Sequence, residues 1–350
     1  LGTGTNGTVN AIAITGNDVY VGGSFSNAGG NPNADYIARW DGTNWNALGT
    51  TPLNNWVYAI AISGTDVYVG GSFSNAAGNN ANDYITRWTG TAFVPLGSKT
   101  SGPLDGVVNA IAVVGTDVYV GGFFTNAGNV PGANYIARWD GTQWHAVGGA
   151  NAINNTVNAI AVSGNNLFVG GSFTNAGGVL GADYIARWNI PGAVWSTVGP
   201  SFSIIGPVNA IAISGTDVYV GGSFTDAGGN PNADYIARWD GTNWNALGTG
   251  TNGTVNAIAI TGTNLFVGGS FSNAGGVSGA NNIARWDGTN WNALGTTPLN
   301  NLVYAIAITG TDVFVGGRFT NAGNVSGANY IARWNIANST WNLVGAANAL

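Results

Sequence analysis

Few residues in this chain could do acid–base, metal or nucleophilic chemistry, and their placement says more than their number. Among 350 residues there is one histidine, no cysteine, nine Lys plus Arg and fifteen acidic residues. His145 follows Trp144, where other copies of a repeated phrase carry Asn46, Asn245 and Asn292. No Ser-His-Asp triad, zinc site or His-containing acid–base pair can be built from it. Every acidic residue is Asp. Glycoside hydrolysis needs two carboxylates held about 5–10 Å apart, one of raised pKa. Here Asp35, Asp83, Asp183 and Asp234 alternate with Asn134, Asn281 and Asn329 in a single slot. A catalytic carboxylate does not tolerate that exchange, so the chain reads as a non-enzyme. The same oxygens are the hard ligands that calcium takes, but no EF-hand-like spacing accompanies them. The sequence calls for no cofactor, with calcium in the 2–3 loops as the one alternative left open.

Seven arginines, Arg39, Arg87, Arg138, Arg187, Arg238, Arg285 and Arg333, each precede a Trp. Such a ring could bind an anion. The simpler reading packs each guanidinium on an aromatic ring or against strand carbonyls. An Asp18–Arg39 pair could form, yet Asn166 and Asn264 replace the Asp while the Arg stays, so the Asp reads as turn chemistry. Trp pairs (Trp40/Trp45, Trp139/Trp144, Trp239/Trp244, Trp286/Trp291) could stack on sugars. Lying on strands, they read first as packing between sheets.

These residues sit on a repeated frame. The phrase Val9-Asn10-Ala11-Ile12-Ala13-Ile14 returns near Val57, Val108, Val157, Val208, Val255 and Val303, a period close to 50 that marks propeller blades. Each copy reads as four strands, in the first copy 9–14, 19–25, 36–40 and 45–48, with β-branched and aromatic residues throughout. No stretch carries a capped helical period, so nothing longer than a helical turn is expected. In the first strand, Val9, Ala11 and Ala13 read as one small face and Asn10, Ile12 and Ile14 as a larger one, matched for packing between blades. The expected fold is an all-β, seven-bladed propeller over residues 1–350, a single domain with four antiparallel strands per contiguous blade. Closure then rests on packing between blades 1 and 7.

Short Gly/Asn/Asp turns join strands 1–2 and 3–4, while the 2–3 and 4–1 connections are long. The two kinds of connection fall on opposite rims, so function is sought on the long-loop face. Departures from the repeat point there too. Trp56 stands where blade 7 has Leu302, Arg318 where five blades have Ser, and Lys99 and Phe202 lie in the longest 4–1 loops. With Asn33, Asp35, Asp83, Asp183 and Asp234 they form the candidate ligand-binding set.

The Gly22-Gly23 pair, Tyr36 and Trp45 resemble the kelch-type repeat. The wording VNAIAI, VYVGGSF, YIARWDG and a second Trp is similar to kelch-like propellers of secreted and cell-surface bacterial proteins. That resemblance spans nearly the whole chain and implies adhesion, interaction or lectin-like binding. The oxidase members' copper sites draw on Tyr, Cys and His ligands, which this chain cannot supply. The Trp-Asp-Gly-x-x-Trp hairpin also resembles one in fucose-type propeller lectins.

Charged residues make up only 7% of the chain and the net charge is −6. Dispersed arginines do not suit a polyanion, so nucleic acid is excluded as a partner. No apolar run approaches the ~18 residues of a membrane span. The expectation is an extracellular or cell-surface bacterial module, a scaffold for adhesion or assembly that takes a protein or glycan. The alternative is a multivalent lectin with repeated shallow sites. Residues 3–16 duplicate 249–262, which suggests a piece of a longer, multi-ring protein. An isolated ring is expected to be monomeric, with any association running through the long-loop face around Trp56.

Overall fold

The computed structural model describes residues 4–79, 81–97, 104–150 and 152–345. Its strands form seven separate four-stranded sheets, each built from four consecutive strands in sequence order. In blade 1 these are β1 (Val9–Thr15), β2 (Asp18–Gly23), β3 (Ile37–Trp40) and β4 (Trp45–Ala47), paired antiparallel throughout. The only helical segments described are two three-residue 3₁₀ turns, Ala76–Gly78 and Ala227–Gly229. The protein is a seven-bladed β-propeller.

Blade-to-blade packing explains the Gly-Gly pair. A methyl group on Gly22 would overlap the Val57 side chain of blade 2 and lie 3.1 Å from Ile60 Cδ1. Gly70, Gly121, Gly170, Gly221 and Gly268 meet the next blade's Val and Ile in the same way. Gly316 meets Val9 and Ile12, so blade 7 packs on blade 1 as every blade packs on its successor. A Cβ on the second glycine, Gly23, would overlap the Thr8 carbonyl. Both glycines are therefore demanded by space. The apolar cores are correspondingly interfacial: Phe314 and Ile331 of blade 7 cluster with Val9, Val19, Val21 and Phe25 of blade 1.

Three local expectations are corrected. The first strand does not alternate simply. A β-bulge between Val9 and Ala11 shifts the register from Val9↔Gly23 to Ala11↔Gly22. Past the extra residue, Ile12 and Ile14 share Val9's face and pack in its core. The second strand stops at Gly23, short of Phe25. The third begins at Ile37 because Tyr36 has φ 62, a left-handed conformation that ends regular pairing. The Tyr36 N–H still donates to the Phe25 carbonyl at 2.8 Å, and the Gly23 N–H donates to the Tyr36 carbonyl at 2.8 Å. The same left-handed residue recurs at Tyr84, Tyr135, Tyr184, Tyr235, Asn282 and Tyr330.

The long loops are tied down. The Asn6 amide oxygen accepts from the Ser26 N–H at 2.9 Å, and its Nδ2 donates to Ser26 Oγ at 3.1 Å, clamping the segment before β1 to the 2–3 loop. Asn54, Asn154, Asn252 and Asn300 make the equivalent clamp, and in blade 3 Asp105 accepts from Thr125. Loops fixed in this way can hold side chains at a set place on the rim.

Candidate binding site at the channel mouth

The bulge in every first strand determines what lines the central channel. Its extra residue is Asn10, Tyr58, Asn109, Asn158, Asn209, Asn256 or Tyr304 in blades 1 to 7, and all seven line one cavity of about 620 Å³. β-Bulges commonly re-aim side chains beside functional sites. The first strand starts at this rim and the second ends there, so the mouth opens on the long-loop face.

Most of these amides are engaged around the ring. Asn10 Nδ2 donates to the Val57 carbonyl of the next blade at 3.3 Å, and Asn256 donates to the Val303 carbonyl at 3.3 Å. Asn158 donates to both the Val208 carbonyl and Asn209 Oδ1 at 3.3 Å. Asn109 reaches the Val157 carbonyl at 3.5 Å. This belt closes inner-edge carbonyls while leaving amide edges toward the cavity.

Blades 7, 1 and 2 break the symmetry. Arg318 and Tyr304 stand on one side, Trp56 and Tyr58 on the other, with Thr8, Asn10 and Ser24 of blade 1 between them. Trp56 is 49% exposed and packs edge-on against Tyr58, ring centroids 6.2 Å apart. Burial pushes the Tyr58 phenol above its usual pKa, partly offset by a hydrogen bond with Ser72. Arg318 is exposed, and among the described residues no carboxylate lies within ion-pair distance of it. No acidic residue lines the cavity.

The other candidate residues do not join this cluster. Phe202 is 54% exposed and lies beside the 2–3 loop of blade 4, its N–H donating to the Gly181 carbonyl at 3.2 Å. Lys99 lies outside the described residues. Asn33 is exposed on the blade 1 loop, its N–H bonded to Asn31 Oδ1 at 3.1 Å. Asp83 and Asp234 brace their own loops, accepting from the Asn75 N–H at 2.6 Å and the Asp226 N–H at 2.8 Å. Burial raises the Asp35 and Asp183 carboxyls above their ordinary pKa, and Asp35 Oδ1 is buried without a partner. Among the described residues no three His or acidic side chains gather as a metal site would require.

Six of the seven strand arginines bond within their own blades, and one reading of them is corrected. In all five blades with the Asp, the pair forms: Arg39–Asp18 3.3 Å, Arg87–Asp66 3.1 Å, Arg138–Asp117 2.9 Å, Arg238–Asp217 3.4 Å and Arg333–Asp312 3.3 Å. The Asp is thus an ion-pair partner as well as a turn residue. In blade 4, where Asn166 replaces it, Arg187 Nε donates to Ser196 Oγ at 3.0 Å. His145 fills the slot of its Asn counterparts. Its Nε2 lies 2.6 Å from Asp140 Oδ2, as Asn46 Nδ2 lies 2.8 Å from Asp41 Oδ2.

The second Trp of each pair is buried, while Trp139, Trp239 and Trp286 are half-buried. Trp40 and Trp45 are 9% and 8% exposed, with ring centroids 5.6 Å apart. Trp144, Trp291 and Trp341 donate their indole N–H to the preceding blade's Leu96, Leu247 and Leu294 carbonyls at 3.2, 2.8 and 3.0 Å. Clefts on the tight-turn side repeat one motif: Phe168, Arg187 and Trp239 between blades 4 and 5, and Phe314, Arg333 and Trp40 between blades 7 and 1.

Comparison with known proteins supports the same architecture. Residues 149–309 match the family model described as the Rax2 C-terminal beta propeller domain. That stretch spans blades 4 to 6 and the first strand of blade 7. No curated protein matches the chain. Among solved structures it is similar to the computationally designed Ika8 protein (17% identity, TM-score 0.55, covering 97% of this chain and 86% of that one). It is also similar to the extracellular domain of a putative one-component system from B. thetaiotaomicron (14%, 0.59, 91% and 39%). A GH74 enzyme from Niastella koreensis is a third (17%, 0.56, 96% and 53%). The chain thus spans well under two thirds of the last two, and identities this low speak for the fold alone. No helix among the described residues is long and apolar enough to cross a membrane.

Proposed function

We propose that this ring is a non-catalytic, extracellular binding module for adhesion or assembly, and that its ligand-facing side is the long-loop rim of the channel. The observation that carries this reading is the mouth itself. Side chains that depart from the repeat, Trp56 and Arg318, converge with Tyr58 and Tyr304 on one cavity, whereas most of the repeated Asp, Arg and Trp residues are occupied in turns, ion pairs and core. The cavity's size falls within the usual range for small-ligand sites. An extracellular location rests on composition: no Cys, Met or Glu and a single Lys, with Asn, Thr and Gly prominent. An export signal in the complete gene would support that part, and its absence would remove it.

Burial of the second Trp of each pair, with the first packed against it, favours one site per ring over seven shallow lectin-like sites. Arrays of glycans and of cell-surface proteins, probed with wild type and a Trp56→Leu/Arg318→Ser variant, test the reading. Binding that the variant loses supports the mouth. Binding that the variant keeps, or no binding at all, counts against it.

A further inference from the structure

The composition of the mouth narrows its ligand. The protein carries a net charge of −6 with fifteen carboxylates, yet none lines this cavity and one unpaired guanidinium does. Its local preference is therefore for a single negative charge. A guanidinium fork matches a planar carboxylate, which it can bind bidentately. Facing Arg318 across the small residues Thr8, Asn10 and Ser24 is the exposed Trp56 ring, backed by Tyr58. An indole face suits an apolar face about as large as a sugar ring. The remaining lining is amide and hydroxyl: Asn109, Asn158, Asn209 and Asn256 offer both donors and acceptors, the complement of a polyol.

We infer that the channel mouth takes one acidic sugar, a hexuronate unit of a glycan, with its carboxylate on Arg318 and its ring against Trp56. The inference rests on the long-loop rim being the binding side. A peptide adding as an extra strand is disfavoured, because the asparagine belt already occupies the carbonyls of Val57, Val157, Val208 and Val303. Of the other arginines without an aspartate partner, Arg187 already donates to Ser196, and Arg187 and Arg285 occupy a strand position that every blade repeats rather than one peculiar to a single blade.

Titration calorimetry of the intact chain with a galacturonate trimer, a galactose trimer and an aspartate tripeptide tests this. Arg318→Ser and Trp56→Leu install residues that the same positions carry in other blades, so both variants should keep the wild-type melting temperature. The expected result is binding of the galacturonate trimer alone, weakening as salt rises. Arg318→Ser should weaken it at least tenfold, the usual effect of losing a charge-assisted hydrogen bond, and Trp56→Leu should weaken it severalfold. Equal binding of both trimers, an unaffected Arg318→Ser variant, or binding of the peptide alone would overturn the inference. If the galacturonate trimer fails while an array ligand is still lost in the double variant, the acidic sugar is wrong and the rim remains the binding side.

Discussion

Gly316 of blade 7 lies so close to Val9 of blade 1 that a single methyl group would not fit between them. The same relationship joins Gly121 of blade 3 to Val157 of blade 4. If the seam between the chain's two ends is as tightly packed as an internal interface, Gly316→Ala and Gly121→Ala should destabilise equally, by about 1–3 kcal/mol for overpacking. Chemical denaturation measures both. A seam variant costing much less than the internal one would mean that blades 7 and 1 meet loosely.

A second glycine prediction concerns the loops. Gly323 has φ 59, and a Cβ there would overlap the Trp341 ring. In blade 2 the corresponding residues are Ala77 and Phe93: the larger loop residue accompanies the smaller ring. Gly323→Ala should therefore cost about 1–3 kcal/mol through the clash, with further strain from the left-handed backbone. Adding Trp341→Phe should recover part of that loss. A double-mutant cycle with no favourable coupling would show that the two positions are independent.

The carboxylates predict opposite pH behaviour at two places. Asp41, Asp240 and Asp287 are held below their ordinary pKa, chiefly by the turn N–H groups of Asn44, Asn243 and Asn290. A depressed folded pKa contributes stability that is present above the unfolded value of about 3.9 and is lost as pH falls through the folded value. Asp35 and Asp183 are raised by burial, so their charged forms oppose folding at neutral pH, and the penalty lifts as pH falls through the raised value. Asp35→Asn and Asp183→Asn, which copy Asn134 of blade 3, should raise the melting temperature at pH 7. That advantage should disappear by pH 3. A gain that persists unchanged at low pH would assign the effect to something other than charge.

How much of this the sequence discloses differs between the frame and the site. The period, the four strands, the Gly-Gly pair and the division into tight-turn and long-loop rims are all legible, because each depends on local patterns of apolar residues and glycine. The bulge at Asn10 is not. One extra residue opposite two glycines leaves no mismatch of side chains to betray it, and the strand reads as a plain alternation. Without the bulge Asn10 appears as an ordinary strand residue, and the line of Asn10, Tyr58 and Tyr304 along the channel cannot be drawn. The Asp18–Arg39 pair was obscured for another reason. The blades that lack the Asp redirect or drop the contact, as Arg187 does toward Ser196, so keeping the Arg says nothing against the pair elsewhere. Trp56 and Arg318 were visible as departures, but 262 residues separate them in sequence, and only ring closure brings their blades to either side of blade 1.

Assembly gives a further test. The outer strand β4 is three residues long, a short edge that offers little for strand pairing. Light scattering should find the isolated ring monomeric. If it associates, Trp56→Ser should abolish the association, and an oligomer surviving that substitution would place the contact elsewhere.

On the proposed reading, a sevenfold frame carries one site, created where blades 7, 1 and 2 depart from the repeat. Native mass spectrometry of the intact chain, titrated with the galacturonate trimer, counts sites directly. One bound trimer per ring, absent in Arg318→Ser, is the predicted result. A ladder of two to seven bound trimers that persists in that variant would contradict it and return the repeated blade surfaces as the binding sites.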